Sequence, residues 1–363
     1  MSAFLFLNNM LPFKKIDATG GLMRQVKIEG IREETHDAKT FVLKPLQGEI
    51  AYRAGQFLTF VFIEQHKQER RSYSISSSPE WDEPLAVTVK RLPNGAFSRP
   101  LLDKAETGDV LTIAGGASGF FTLPDKQFDH FVFIAAGSGI TPVFSLLKSA
   151  QKLYPKVPAL LIYSNRSRDR TIFRNHLKEL EARYASLQIE WLFSSDQDLL
   201  RTRLTKSLLK ELLNRHVNAL PERICCFTCG PFEFMRMTAI VLQSEGIPAA
   251  NIKREVFSPE APVTAARPPD VAKHKVEIVF QGKKHILDVQ YPESILAVAK
   301  RQGIDLPYSC EAGRCGSCVA SCKEGSVWMK YNEVLTDREV EKGRVLICNG
   351  FPVGGDVRIE FDS

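Results

Sequence analysis

Three cysteines crowd one short stretch of the chain, Cys310-Glu-Ala-Gly-Arg-Cys315-Gly-Ser-Cys318, and a fourth, Cys348, follows in Val-Leu-Ile-Cys348-Asn-Gly. No other feature restricts the fold as tightly, because thiols at this spacing ask for one common ligand. Two irons need four thiolates, and a CxxxxCxxC loop can wrap three of them around a [2Fe–2S] cluster while a distant segment brings the fourth. Gly313 and Gly316 let such a loop turn closely, so that backbone N–H groups face the sulfurs. The apolar run Arg344–Cys348 is expected to be the strand that delivers Cys348. A structural zinc site and a disulfide pair are the competing readings. Zinc ribbons usually repeat CxxC twice, and the longer first spacing fits them poorly. The expected metal ligands are Cys310, Cys315, Cys318 and Cys348.

A chain of 363 residues is long for one domain and suits two or three. Its 44% hydrophobic and 25% charged content places it among ordinary globular proteins. Eight cysteines are too sparse for a disulfide scaffold, and with four of them on a cluster they point to a reducing compartment, so the expected location is cytoplasmic. The opening run Met1-Ser-Ala-Phe-Leu-Phe-Leu is too short to span a bilayer and lacks the basic start of a signal peptide. Residues 1–23 are read as a tail, with Met23 an alternative start. From Lys273 onward 13 basic and 13 acidic residues balance, so the net charge of +6 lies upstream. A mildly basic face explains that excess, and so does a need to hold anionic cofactors. No basic run with interleaved aromatics points to nucleic acid.

Between residues 24 and 126 short alternating runs recur: Val26–Glu29, Thr40–Lys44, Phe57–Phe62, Ser72–Ile75, Leu85–Lys90 and Val110–Ile113. Turn signals such as Pro93-Asn-Gly95 separate them, which predicts an antiparallel barrel. Residues 127–257 alternate strand with helix. His130–Ala136, Ala159–Ser164, Ile189–Ser194, Ile224–Cys229 and Ile252–Phe257 read as strands of a parallel sheet with nucleotide at their carboxyl ends. The Pro-rich stretch Ser258–Ala272 cannot build a core and reads as a semi-extended linker. Residues 273–363 hold a hairpin around Gly282, a helix over Ser294–Gln302 and the cluster loop.

Two further constellations carry chemistry. In Arg71-Ser-Tyr73-Ser74 alternation puts Arg71 and Tyr73 on one strand face. Arg71 offers a planar fork to phosphate, Tyr73 a ring to stack and a hydroxyl, and Ser74 a second hydroxyl. An ordinary strand with a surface arginine fits the same four residues. Gly95-Ala-Phe97-Ser98 precedes a helix that Ser98 would cap, leaving N–H groups free for phosphate. Gly137-Ser-Gly139-Ile-Thr141-Pro142 follows a buried strand and opens a helix, an arrangement that suits pyrophosphate, though a lone GxG is a weak signal. Cys229-Gly230-Pro231 ends a later strand. Cys225, Cys226 and Cys322 are read as small hydrophobes without chemistry.

Taken in this order, the Arg71-x-Tyr73-Ser74, Gly137-x-Gly139-x-Thr141-Pro142 and Cys229-Gly230-Pro231 segments resemble those of the ferredoxin–NADP⁺ reductase family. The stretch from Lys273 resembles a plant-type ferredoxin. The resemblance implies an antiparallel β-barrel flavin domain, an α/β nucleotide-binding domain and a C-terminal β-grasp ferredoxin domain. It assigns Arg71, Tyr73 and Ser74 to the flavin, and Gly95, Phe97 and Ser98 to its phosphate side. Gly137, Gly139, Thr141, Pro142, Cys229, Gly230 and Pro231 go to the pyridine nucleotide, with Ser74 and Cys229 closest to the hydride. The segment Glu255-x-Phe257 would place an aromatic over the flavin. The implied cofactors are FAD, with FMN of a phthalate dioxygenase-type reductase as the alternative, a [2Fe–2S] cluster and NADPH. NADPH is favoured over NADH because Arg166 and Arg168 follow the second strand of the nucleotide domain where an acidic residue would suit a 2′-hydroxyl. The competing reading is that both arginines are merely solvated loop residues. Fused reductases of this order, such as those of phenylacetyl-CoA epoxidase and ketosteroid hydroxylase systems, feed oxygenases. The implied activity is electron transfer from NAD(P)H to an oxygenase or hydroxylase partner, against the alternative of a non-enzymatic carrier or redox sensor. The cluster loop residues Tyr308, Ser309, Glu311, Ala312 and Arg314 are expected to form its docking patch.

Overall fold

A computed structural model describes residues 23–64, 67–93, 95–196, 201–257 and 266–361. The expected tail, up to residue 22, and residues 258–265 of the expected linker lie outside them. The chain divides into two compact units, one built mainly from Arg24–Ala117 and Phe121–Phe257, the other mainly from the residues beyond.

The first unit opens with β1 (Met23–Thr35), β2 (Ala38–Pro45), β3 (Phe57–Glu64), β4 (Lys67–Ser74) and β5 (Ala86–Lys90), followed by the short helix α1 (Ser98–Lys104) and β6 (Val110–Ala114). These form one six-stranded sheet in the order β4-β3-β6-β1-β2-β5. An antiparallel bridge from Ile75 to Val87 joins its two ends into a barrel. Closure removes the exposed edges that such a sheet otherwise presents. The interior is filled by Val26, Ile28, Phe41, Leu58, Phe60, Ile75, Val87, Val89 and Phe97, each nearly or wholly buried.

The same unit continues with β7 (His130–Ala136), α2 (Ile140–Leu153), β8 (Ala159–Asn165), α3 (Arg174–Arg183), β9 (Leu187–Phe193), α4 (Lys206–His216), β10 (Ile224–Cys229), α5 (Phe232–Ser244) and β11 (Ile252–Glu255). The strands are parallel and ordered β11-β10-β7-β8-β9. Successive residues of β7 serve opposite faces. Phe131, Phe133 and Ala135 pack with α2 and α3, while Val132 and Ile134 pack with Leu208, Leu209 and Leu212 of α4 and with Leu242 of α5. A strand covered on both sides must be apolar throughout, which is why His130–Ala136 has no polar alternation beyond its first residue.

The second unit contains β12 (His274–Phe280), β13 (Lys283–Val289), α6 (Ile295–Arg301), β14 (Val319–Met329), α7 (Asp337–Glu341), β15 (Arg344–Leu346) and β16 (Gly350–Glu360). Its mixed sheet runs β13-β12-β16-β14-β15, with β12 and β16 parallel. Gln281 and Gly282 form a two-residue turn with φ of 50° and 73°, the left-handed pair that matches hairpin twist. Helix α6 lays Ile295, Leu296, Val298 and Ala299 on the sheet in the β-grasp manner. The end of the expected linker is fastened here. Asp270 accepts from Ala272 N (2.8 Å), Gly354 N (2.9 Å) and the His274 ring (2.6 Å).

Candidate functional site: two thiol pairs, a flavin cradle and a nucleotide crevice

The cluster loop lies between α6 and β14. Cys318 and Cys348 are buried, and Cys310 and Cys315 half-buried. They do not converge on one point as a single ion would need, since among the described residues no group of three metal-ligating side chains does so. They pair instead, Cys310 beside Cys315 and Cys318 beside Cys348. Two thiols per iron is the donor set of a [2Fe–2S] cluster. The Cys315 thiol, helped by the N–H groups of Ala312, Arg314 and Cys315, lowers the Cys310 thiol to about 6. Groups that stabilise a thiolate here also suit thiolate bound to iron. Gly313 has φ of 71°, and a Cβ there would lie 2.5 Å from the Tyr331 carbonyl, so the loop can close only around glycine. Cys348 sits in the turn just past β15, two residues beyond the strand expected to carry it, because β15 ends at Leu346.

The expected docking patch is partly exposed. Glu311 alone of its five residues is exposed, and it accepts from Lys300 at 2.7 Å. Ala312 is buried, and the Arg314 side chain lies 3.3 Å from Glu333 with both largely shielded. The ion pair faces inward, which corrects the reading of Arg314 as a surface group.

Around the barrel, Tyr73 packs against Phe97 (5.6 Å between centroids) and Phe60 (5.9 Å). Burial pushes the Tyr73 phenol up to about 12, against the opposing charge of Arg71. Arg71 is exposed, lies 5.8 Å from the Phe62 ring and donates to Glu69 (3.0 Å) and to the Arg70 carbonyl (2.7 Å). Ser74 is 4% exposed and its hydroxyl has no hydrogen-bond partner among the described residues. A buried hydroxyl left in that state signals a partner that the chain does not supply. Phe97, by contrast, is core, at 2% exposure. Ser98 does not cap α1. It is the first helical residue, and its Oγ accepts from Leu92 N at 3.2 Å. A Cβ at Gly95 would come within 2.1 Å of that Oγ, so the tight Leu92–Ser98 wrap requires glycine.

The nucleotide motifs meet at the sheet's switch point. From β7 the chain crosses to β8 on one side, while β10 returns on the other. The loops after β7 and β10 therefore flank the crevice where α/β sheets bind nucleotides. A Cβ on Gly139 would sit 2.2 Å from the Cys229 carbonyl oxygen, a measure of how closely these loops approach. Tyr163 donates to the Gly137 carbonyl (3.1 Å), and Thr141 donates to the Ser138 carbonyl (3.1 Å), so Thr141 fixes the loop's shape. Pro142 is buried in the first turn of α2. Gly230 and Pro231 lead into α5, with Pro231 at its cap. Cys229 is fully buried, and burial together with Glu255 raises its thiol far above its ordinary range, so it stays protonated. Glu255, used in the sequence only to locate the closing segment, is the register partner of Cys229 across β10 and β11. Phe257 is 45% exposed. Arg166 and Arg168 both follow β8, but they differ. Arg168 makes a bidentate pair with Asp196 (2.6 and 2.9 Å) over the Phe193 ring, whereas the exposed Arg166 has no ion pair among the described residues. Cys225 and Cys226 are buried in β10, and Cys322 donates to the Glu324 carbonyl at 3.4 Å.

The unpartnered Ser74 hydroxyl, the glycine-lined crevice and the paired thiols fit a flavin, a dinucleotide and a [2Fe–2S] cluster. Comparison with known proteins agrees. Residues 25–121 match the oxidoreductase FAD-binding domain, 133–239 the oxidoreductase NAD-binding domain and 278–353 the 2Fe-2S iron-sulfur cluster binding domain. The chain is 34% identical over 349 residues to the ferredoxin reductase component of 3-ketosteroid-9-alpha-monooxygenase from Rhodococcus rhodochrous, covering 92% of this chain and 95% of that one. It is 33% identical over 345 residues to one of the subunits of 1,2-phenylacetyl-CoA epoxidase from Escherichia coli (strain K12), covering 92% and 96%. The solved structure of phthalate dioxygenase reductase shares its fold at a TM-score of 0.56 and 24% identity, over 93% of this chain and 98% of that one. The flavin domain is matched as FAD-binding, against the FMN alternative, and matched FAD and NAD domains together count against a carrier without nucleotide turnover. No helix among the described residues is long and apolar enough to cross a membrane. The chain belongs to the family of oxygenase reductase components, oxidoreductases that carry an FAD-binding, an NAD-binding and a [2Fe–2S] domain in one polypeptide.

Proposed function

We propose that this protein takes electrons from NADPH in preference to NADH and delivers them, in the cytoplasm, to the oxygenase component of a phenylacetyl-CoA epoxidase-like or ketosteroid hydroxylase-like system. When bound, FAD accepts two electrons as a hydride and releases them one at a time, as a one-electron cluster needs. The residues' part is to hold and orient. Arg71, Tyr73 and Ser74 grip the flavin, with the backbone of the Gly95–Ser98 turn on its phosphate side. Gly137, Gly139, Gly230 and Pro231 let the nucleotide lie against the backbone at the switch point. Thr141 and Pro142 set the first turn of α2, and Phe257 stands ready to cover a ring. Cys229, kept protonated, would present a small uncharged wall to the nicotinamide, and the Ser74 hydroxyl would be free to donate to the flavin.

The observation that carries this reading is the approach of the Gly137–Gly139 and Cys229–Pro231 loops in a chain that also holds two thiol pairs. The NADPH preference is supported by Arg166, a guanidinium left exposed at the end of β8, where a 2′-phosphate is read in such sheets. A reducing compartment suits four ligand thiolates. The partner class is tested by adding the purified protein and NADPH to candidate oxygenase components. Substrate oxidation coupled to NADPH use supports the assignment, and failure with every non-haem iron oxygenase tried removes it.

A further inference from the structure

The seam between the barrel and the nucleotide domain is built largely from polar groups. Along α2, Ser145, Lys148 and Ser149 share one face, and all three are at most 4% exposed. They meet the segment that follows the flavin strand β4. Ser145 Oγ donates to the Ser77 carbonyl at 2.5 Å, and the Ser149 and Ser78 hydroxyls lie 2.8 Å apart. Glu80 accepts from both Ser149 and Ser78. The Lys148 ammonium pairs with Glu83, which also accepts from Ser78 N at 2.5 Å, and it lies 4.4 Å above the Phe144 ring. Trp81 Nε1 donates to the Lys148 carbonyl at 2.9 Å. On the barrel side, Ser77 Oγ is held by Tyr52 (2.8 Å) and by Ala86 N (2.9 Å).

An apolar seam would hold two domains together at lower desolvation cost, but it tolerates sliding. With the Lys148 ammonium covered and Glu83 one-third exposed, the pair and its directional hydrogen bonds are satisfied in only one relative orientation. The connection runs directly between the two halves of the chemistry. Ser74 lies just before the clasped segment, in the unbroken buried run Ser74–Ser78, and α2 begins at the nucleotide loop. We propose that this clasp, with Lys148 at its centre, is the positioning device for hydride transfer: it fixes where the nicotinamide carbon stands relative to the flavin. Lys148 touches neither cofactor in this role. The hydride leaves the nicotinamide with its electron pair, oxidising it, and the flavin is reduced by the same two electrons. The clasp sets the distance over which that occurs.

The proposal rests on the NADPH-to-flavin reading and is tested separately from it. The full-length holoenzyme and Lys148→Met, which keeps the length of the stem beside the adjoining cavity of about 230 Å³, are mixed anaerobically with NADPH. Flavin reduction is followed at several NADPH concentrations. Displacement of reacting groups by about 1 Å can slow a step by about 100-fold. The clasp therefore predicts a limiting reduction rate lower by about 10- to 100-fold, NADPH affinity within about 3-fold of the parent and full FAD content. It further predicts that Lys148→Met with Glu83→Gln, which removes both charges, recovers part of the rate. An unchanged limiting rate, or a fall matched by equal loss of FAD or of NADPH affinity, overturns it. Should Lys148→Met not fold, Ser149→Ala serves as the milder variant, with the same split between rate and affinity required. A parent protein whose flavin NADPH cannot reduce would instead refute the functional reading.

Discussion

The cluster loop and the flavin–nucleotide unit offer their side chains to cofactors by opposite means. In the loop, all four thiols come from two short stretches, and each is a candidate covalent ligand. In the flavin–nucleotide unit the groups are scattered over β4, the turn after β5, and the ends of β7, β8 and β10, and each contributes a weak contact or merely room for a backbone. Loss of one covalent ligand removes a whole cluster, whereas loss of one weak contact shifts an affinity or a rate. The contrast teaches that damage should be all-or-none at one end of the electron path and graded at the other.

The largest effect is expected from Cys315→Ser. It should abolish the EPR signal of the reduced cluster while NADPH still bleaches the flavin, and a full signal would remove Cys315 from the ligand set. Next is Gly139→Ala. The backbone at Gly139 is ordinary, with φ of −61°, so the obstacle is steric: the new methyl would press on the Cys229 carbonyl at 2.2 Å. Flavin reduction by NADPH should slow by about 100-fold, on the scale that small displacements produce, while dithionite still reduces both centres. An unaffected rate would show that the two loops are not the nucleotide crevice. Arg71→Ala should raise the FAD dissociation constant by about 10- to 100-fold, the loss of a charged hydrogen bond worth about 1.5–3 kcal/mol. Equilibrium dialysis measures it, and unchanged affinity would place the flavin phosphate elsewhere. The smallest effect belongs to Arg166→Ala, which should lower kcat/KM for NADPH by about 10-fold and leave NADH nearly unchanged, the gap expected from one charged contact of about 1.4 kcal/mol. Equal use of both nucleotides by the parent protein would set aside the 2′-phosphate role.

What can be read from the sequence follows the same division. The thiol spacing is legible because the chemistry is contiguous, and the Gly137–Pro142 segment opens helix α2 as expected because its pattern is local. Long-range partners are not legible. Nothing near Arg168 announces that Asp196, on another loop, will hold its guanidinium in a bidentate pair. Nothing in Cys310–Cys318 announces that Arg314 will turn inward to Glu333. Ser98 is expected to cap α1, yet the preceding wrap takes its hydroxyl for Leu92 N and puts Phe97 at the cap. Helix α4 is absent from the expected elements although it carries a local signal, Leu208, Leu209, Leu212 and Leu213 at helical spacing.

In the proposed path, electrons travel from NADPH to flavin to cluster in that order within one chain. Anaerobic stopped-flow mixing with NADPH, followed at flavin and cluster absorbances in the parent and in Cys315→Ser, tests it most directly. The flavin is expected to bleach at the same rate in both proteins, with a slower cluster phase in the parent alone. Cluster reduction that precedes flavin bleaching, or that persists in protein stripped of flavin, would contradict it.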